Sequence, residues 1–149
     1  MKRSASARWL GSLKDGSGKL TSTSGVLSDI PYSFKTRFEN EPGTNPEELI
    51  AAAHAGCFSM ALAGELTKAG YSPEEIFSKN TATLDQADGK WSITEFHLEV
   101  TAKVAGISRD EFQNIALAAK EGCPVSRVLR ANVTLEAKLS TEAPSKKSA

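Results

Sequence analysis

The sequence predicts an α+β fold, with antiparallel sheets around one long, buried central helix. Strand-like segments cluster in residues 1–40 and again in 79–104 rather than alternating with helices, which is the α+β pattern. Between the clusters runs a stretch of apolar and small residues, 49–64, interrupted only by His54 and Ser59. A helix that is apolar on every side is a buried helix.

Composition excludes several classes of protein. The 149 residues suit one domain, expected over 1–139, followed by a polar tail at 140–149 that we expect to be disordered. The 18 basic and 18 acidic residues cancel, so neither a nucleic-acid nor a membrane partner is expected. No signal-peptide pattern is visible, which favours a cytoplasmic protein.

Two cysteines are too few for a disulfide scaffold. In a reducing compartment such cysteines are catalytic, metal-binding or incidental. The nearest Cys/His pair is His54 with Cys57, and structural zinc normally takes four ligands. We therefore expect no metal site.

The first cluster reads as a hairpin followed by a third strand. Residues 6–13 and 19–24 flank the turn-forming sequence Asp-Gly-Ser-Gly. From Tyr32 to Phe38, aromatic residues and threonine alternate with polar ones. This period of two predicts a strand with Arg37 on its polar face.

The central helix has clear start and stop signals. Asn45 can cap it, Pro46 suits its first position, and Gly70 follows its last turn. Its apolar run is shorter than the roughly 20 residues that a bilayer requires, so we interpret it as a core helix.

The second cluster begins after a helix start signal at 72–75, which predicts a brief helix. Residues 79–85 and 91–104 then form an expected antiparallel hairpin, with a phase slip that indicates a bulge near Glu95.

Two helices and one strand are expected to complete the chain. A capping box at Ser108 predicts a helix that ends at Gly122. A short helix at 125–130 and a last strand at 132–139 follow.

Cys57 lies in the middle of the central helix, where nothing local favours a thiolate. A free thiol with a pKa of about 8.5 is only about 3% ionised at neutral pH. The helix dipole fades within the first turn, and burial raises the pKa of a thiol. Cys57 is therefore either a small buried hydrophobic residue or a nucleophile that a cation from elsewhere activates.

Three residues are candidates for the cation or base that would activate Cys57. Lys68 lies about 16 Å further along the helix, which is out of reach. His54 is one turn from Cys57 and is either a core residue or a base. Arg37 comes from another element, and a guanidinium about 4 Å from the sulfur contributes about 4 kcal/mol at an effective dielectric constant of about 20.

Cys123 occupies a different kind of position. Because Pro124 follows it, Cys123 is expected at the N-cap of a short helix, where backbone N–H groups favour a thiolate. Two such thiols suggest a cycle in which one is oxidised to a sulfenic acid and the other condenses with it. The alternative is two unrelated buried thiols.

These motifs resemble a known family. The segment 43–62, together with 36–39 and 121–126, is similar to the OsmC branch of the OsmC/Ohr family, and the likeness extends over the chain apart from its tail. The resemblance implies an OsmC-like fold and a thiol-dependent peroxidase that reduces organic hydroperoxides. It also implies an intertwined homodimer with active sites at the subunit interface, and a lipoyl-type dithiol reductant rather than a bound cofactor.

The resemblance also assigns roles to four residues. Cys57 matches the peroxidatic cysteine, Cys123 the resolving cysteine, Arg37 the residue that holds the thiolate, and Glu47 the acid that pairs with Arg37. On an unbroken helix Glu47 is about 15 Å along the axis from Cys57. Either the helix breaks, or Glu47 serves the Cys57 of the other subunit, and we expect the second arrangement.

The expected reaction is attack of the Cys57 thiolate on a peroxide, followed by a disulfide with Cys123. Apolar neighbours of Cys57, namely Phe58, Met60 and Leu62, predict an apolar pocket and a preference for organic peroxides.

Two other functions stay open. A cysteine hydrolase would use Cys57 with His54 and would need an oxyanion hole. A non-catalytic stress-response interaction protein would need neither thiol.

Overall fold

The computed structural model describes residues 1–140, which fall into two compact units, one over residues 1–49 and one from Ile50 onward. The sequence predicted a single domain over 1–139. Of the expected tail, only Ser140 is described; its amide donates to the carbonyl of Ala102 at 2.8 Å. The other tail residues lie outside the described part of the chain.

The first unit contains an antiparallel sheet of three strands, β1 (Ala5–Leu10), β2 (Ser17–Ser22) and β3 (Ile30–Ser33). The predicted hairpin of β1 and β2 is confirmed. Gly18 in β2 is buried beneath Trp9 and Tyr32, whose rings lie 5.4 Å apart. A Cβ atom at this position would lie 2.3 Å from the Tyr32 ring, so this aromatic contact requires glycine.

The strand predicted over Tyr32–Phe38 is wrong beyond Ser33. Phe34–Phe38 forms a short helix, α1, whose start is fixed by a capping box: Ser33 Oγ accepts from the Thr36 amide, and Thr36 Oγ1 accepts from the Ser33 amide. One turn apart, the Phe34 and Phe38 rings are in contact at 4.8 Å. In so short a segment, aromatic residues four apart fit a helix as well as a strand, and the capping bonds favour the helix.

The long helix α2 (Pro46–Lys68) is continuous over 23 residues. Of the two alternatives for Glu47, a break in the helix is therefore excluded. Length and composition alone would let α2 cross a membrane, a property that core helices of soluble proteins share.

Within this single chain, α2 is not buried on all sides. One stripe is buried, consisting of Glu47, Ala51, His54, Phe58, Leu62 and Leu66. The opposite face is exposed and includes Ala52, Gly56, Met60 and Gly64, at intervals of four residues. Of these four residues, Met60 is the one with a large side chain.

The second unit contains a long antiparallel hairpin of β4 (Pro73–Ala87) and β5 (Lys90–Val104). The brief helix predicted at 72–75 is wrong, because Pro73 already pairs with Val104. The register shifts between Thr83 and Leu84, opposite Glu95, which confirms the predicted bulge. Asp88 and Gly89 both have positive φ, 52° and 73°, as a tight two-residue hairpin turn requires.

Strand β6 (Asn132–Leu139) joins β5 in parallel, so the expectation of antiparallel sheets does not hold for this pair. The physical reason is the connection: α3 (Arg109–Gly122) and α4 (Pro124–Val128) return the chain to the starting end of β5. Ser108 caps α3 as predicted, by accepting from the Glu111 amide.

The core of the second unit lies between α2, α3 and the sheet. Its buried members are Phe58, Leu62, Leu66, Leu98, Val100, Ala102, Phe112, Ala116, Ala119, Cys123 and Ala137. Cys57 packs at the edge of this cluster. The same core therefore positions both thiols, with Cys123 inside the cluster and Cys57 at its edge.

Candidate active site

The two cysteines meet, although 66 residues separate them in the sequence. Their sulfur atoms are 3.3 Å apart, and both are free thiols. A disulfide bond is about 2 Å long, so a small side-chain movement would join them. Cys123 is fully buried, whereas Cys57 is half-buried.

Cys123 is held at a junction between two helices. It is the C-cap of α3, where its amide donates to Ala119 O at 2.9 Å, and the N-cap of α4, where Pro124 follows. This N-cap position was predicted from the sequence. Its sulfur makes no closed capping bond, so the first amides of α4 act on it as nearby dipoles.

The two thiols differ in their tendency to ionise. Burial raises the pKa of Cys57; the Val125 amide acts to lower it, and the neighbouring Cys123 adds to the increase. Burial also acts to raise the pKa of Cys123, but the amide and hydroxyl of Ser126, the Cys57 thiol and the Val125 amide outweigh it and lower that pKa. In this environment the negative charge favours Cys123, so Cys57 needs a cation from elsewhere, as the sequence argument required.

His54 contacts Ser126 rather than acting as a partner of Cys57. Its ring is fully buried, with Nε2 2.7 Å from Ser126 Oγ and Nδ1 3.0 Å from Asn80 Nδ2. Burial lowers its pKa, so the imidazole is neutral near pH 7. With both ring nitrogens engaged, the geometry does not favour a hydrolase that pairs Cys57 with His54.

Asn80 and Ser126 are site residues that sequence reasoning missed. Ser126 lies inside the second cysteine motif, so its proximity to Cys123 could have been noticed. Asn80 lies on β4, and nothing local distinguishes it from other polar residues of that strand.

Arg37 and Glu47 form an ion pair in the first unit. Arg37 Nη2 lies 2.7 Å from Glu47 Oε1, and Arg37 Nε lies 3.1 and 3.3 Å from the two carboxylate oxygens. Glu47 is buried, with 7% of its surface exposed, in the first turn of α2. This forked contact fixes the orientation of the guanidinium.

An apolar pocket of about 250 Å³ lies beside Arg37 in the same unit. It is lined by Trp9, Leu13, Tyr32, Ser33, Phe34, Arg37, Phe38 and Pro46. The residues expected to form a pocket do not share one: Phe58 and Leu62 are core residues, whereas 79% of Met60 is exposed on the opposite side of α2. Within residues 1–140, no group of three or more His, Cys, Asp or Glu side chains could hold a metal ion.

An α+β fold that brings two free thiols within 3.3 Å defines a dithiol protein of the kind used in thiol redox chemistry. A sequence model described as OsmC-like protein matches residues 38–138. The chain is 49% identical to peroxiredoxin OsmC of Escherichia coli (strain K12) over 133 residues, which cover 89% of this chain and 93% of that protein. The chain belongs to the OsmC-like family.

Solved structures agree with this assignment. The crystal structure of the organic hydroperoxide resistance protein OhrB of Bacillus subtilis has 28% sequence identity and a TM-score of 0.63, and covers 92% of this chain and 98% of its own. An OsmC-like protein from Vibrio cholerae has 20% identity and a TM-score of 0.72, with coverage of 92% and 99%. The predicted family, the α+β fold and the peroxidase class are confirmed.

Proposed function

We propose that this protein is a two-thiol peroxidase that reduces organic hydroperoxides to alcohols. The observation that supports it most strongly is the 3.3 Å separation of the Cys57 and Cys123 sulfurs. The Cys57 thiolate attacks the distal peroxide oxygen, the O–O bond breaks, and the alkoxide leaves and takes a proton. Cys57 is now a sulfenic acid, and Cys123 displaces its hydroxyl as water to form a disulfide.

A reductant completes the cycle. The disulfide accepts two electrons from a small dithiol, of the lipoyl type that the family resemblance implies, and both thiols are restored. Such a cycle suits a reducing compartment, and we place the protein in the cytoplasm.

Arg37 is the proposed activator of Cys57, acting across a homodimer interface. The local environment raises the pKa of Cys57, so ionisation requires a cation close to the sulfur. Glu47 already fixes the Arg37 guanidinium near the start of α2, whereas Cys57 is ten residues further along the same continuous helix. The partner's arginine can satisfy this requirement where two α2 helices cross.

The exposed face of α2 supports such a crossing. Ala52, Gly56, Met60 and Gly64 recur every four residues, and nothing lies within 4 Å of a Cβ placed on either glycine. Three of these four residues are small, which allows a second helix to approach closely on either side of Met60. The homodimer therefore has its active sites at the subunit interface.

The apolar pocket beside Arg37 is the proposed binding site for the organic part of the substrate. Its aromatic walls suit an alkyl or aryl group, and the guanidinium in its lining can donate to the peroxide oxygens as negative charge develops. Hydrogen peroxide cannot use the apolar contacts, so an organic hydroperoxide is the preferred substrate.

Dithiothreitol-dependent consumption of cumene hydroperoxide tests the reaction. We expect Cys57→Ser to abolish it, and Cys123→Ser to undergo one oxidation per subunit without turnover. Full activity of Cys57→Ser would contradict the peroxidase mechanism. Normal multiple turnover of Cys123→Ser would remove only the resolving role.

Subunit mixing tests the action of Arg37 across the interface. Arg37→Gln and Cys57→Ser proteins, each inactive alone, are unfolded together, refolded and assayed. Half of the dimers are mixed and contain one complete site, so about a quarter of the wild-type activity should return. No recovery, or a fully active monomer on dilution, would contradict the arrangement.

A further inference from the structure

A chain of polar groups leads from β4 through the buried His54 to Ser126, three residues after Cys123. Asn80 Nδ2 is 3.0 Å from His54 Nδ1, and His54 Nε2 is 2.7 Å from Ser126 Oγ. Ser126 lies three residues after Cys123, in the short helix that Cys123 caps, and its amide and hydroxyl both act to lower the pKa of the Cys123 thiol. These residues come from β4, α2 and α4, so the tertiary fold assembles the chain.

The direction of the hydrogen bonds follows from Ala51. Asn80 Nδ2 also lies 3.4 Å from Ala51 O, and a carbonyl oxygen can only accept. The nitrogen end of the amide therefore faces His54, Nδ1 is the acceptor, and the imidazole proton is on Nε2. That proton is donated to Ser126 Oγ, which leaves the Ser126 hydroxyl proton free for the sulfur of Cys123.

The unpaired oxygen of Asn80 is consistent with this orientation. Among the described residues, Asn80 Oδ1 is buried with no hydrogen-bond partner, which is unfavourable. Because the oxygen has no partner, the two acceptors of the nitrogen, His54 Nδ1 and Ala51 O, determine the orientation of the amide. His54 is further held by the edge of the Phe96 ring, 5.8 Å between centroids.

We propose that Asn80, His54 and Ser126 are positioning residues that hold Cys123 as a thiolate for the resolving step. This inference rests on the proposed function. In that step the Cys123 sulfur forms a bond to the Cys57 sulfur, the S–O bond of the sulfenic acid breaks, and the hydroxide that leaves takes a proton to become water. Once Cys57 is a neutral sulfenic acid, Cys123 can carry the negative charge, and these residues stabilise it there.

The need for such a chain arises from burial. Cys123 is fully buried, and an ionised sulfur in an apolar core is unfavourable without donors. The titratable groups that face it are the Cys57 thiol from α2 and, through Ser126, the neutral His54 imidazole. The lowered pKa of Cys123 agrees with the effect of these donors.

Substitutions at Ser126 test the proposal. The pKa of Cys123 is measured from the ultraviolet absorbance of the thiolate against pH, in a Cys57→Ala background. We expect Ser126→Ala to raise it by about one unit and Ser126→Thr, which keeps the hydroxyl, to restore it. Ser78→Ala is the matched control, because this half-buried hydroxyl binds Ser59 and is not part of the chain.

Single-turnover kinetics in the two-cysteine protein supply a second readout. At neutral pH, Ser126→Ala should lower the rate of disulfide formation, relative to sulfenic acid formation, by about tenfold. Nitrogen NMR of His54 should show the Nε2–H tautomer. This measurement leaves the buried histidine in place.

Each result bears on the proposal. An unchanged Cys123 titration in Ser126→Ala, or an Nδ1–H tautomer at His54, would overturn it. If the wild type forms no Cys57 sulfenic acid with cumene hydroperoxide, the proposed function fails. The titration of Cys123 is independent of that result and still tests whether the hydrogen-bond chain stabilises the Cys123 thiolate.

Discussion

The two compact units of this chain differ in what they bury. In residues 1–49, all of which the structure describes, the buried residues are Gly18 and Glu47. The second unit has a closed core that includes four fully buried large side chains of α2 and α3, namely Phe58, Leu62, Leu66 and Phe112. The first unit holds the ion pair and the pocket, and the second holds the thiols.

This difference shows that a charge and a nucleophile can be positioned by different means. Cys57 and Cys123 are held by apolar packing, whereas Arg37 is held by local hydrogen bonds and by its bond to Glu47. Perturbing the core should therefore affect folding, and perturbing the first unit should mainly affect chemistry. The predictions below test this contrast, from the largest expected effect to the smallest.

The sharpest test of the core is Phe112→Ala in α3. This ring is fully buried, so we expect the free energy of unfolding to fall by about 3–5 kcal/mol, measured by urea denaturation. Leu117→Ala, at a half-exposed position of the same helix, is the control and should change stability by less than about 0.5 kcal/mol. Equal effects of the two variants would mean that the core is not organised as described.

Arg37→Gln should act on chemistry in the first unit. Loss of the guanidinium should slow oxidation of Cys57 by cumene hydroperoxide about a hundredfold, measured by stopped-flow fluorescence. The matched control is Lys35→Gln, an exposed cation on the same short helix. A wild-type rate of Cys57 oxidation in Arg37→Gln would show that Arg37 does not activate Cys57.

Acidification should act on the second unit through His54. Burial lowers its pKa below the ordinary value of 6.5, so between the two values the unfolded chain binds the proton more strongly. Stability is thus present above pH 6.5 and is lost as the pH falls, by at most about 1.4 kcal/mol per pH unit. Chemical denaturation between about pH 7.5 and about pH 5 should show that the stability of His54→Asn depends less steeply on pH than that of the wild type.

If the slope of His54→Asn matched that of the wild type, another group would be responsible.

The smallest expected effect is at the cap of α1. Ser33→Ala removes the acceptor of the Thr36 amide and should reduce stability by about 1 kcal/mol, measured by thermal unfolding. Because α1 carries Arg37, oxidation of Cys57 should slow as well. Ser28→Ala, in an exposed loop, should change neither quantity. Retained stability and rate in Ser33→Ala would show that the cap does not position Arg37.

Local signals predicted most elements because their causes are local. The Asp88–Gly89 turn, the Ser108 cap and the N-cap position of Cys123 each depend on a few neighbouring residues. The strand predicted over Phe34–Phe38 was wrong because five residues fit the periodicity of either a helix or a strand. Only the hydrogen bonds of Ser33 distinguish the two structures.

Contacts between distant residues were beyond local reasoning. The contact of Cys57 with Cys123 was suggested by the two kinds of position that these thiols occupy and was implied by the family resemblance, but their spacing in the sequence does not determine it. The roles of Asn80 and Ser126 depend on where β4 and α4 lie against α2, which no short stretch of sequence encodes. The parallel pairing of β6 likewise depends on the path of the intervening helices.

The place of Cys123 between α3 and α4 has a consequence for the folding of the enzyme during turnover. A disulfide bond between Cys123 and Cys57 would link this junction covalently to the middle of α2 and close a loop of 66 residues. In the chain-entropy description, such a loop stabilises the folded state by about 4 kcal/mol. The oxidised enzyme should therefore melt at a higher temperature than the reduced enzyme. The stability of the protein would rise and then fall once in each catalytic cycle.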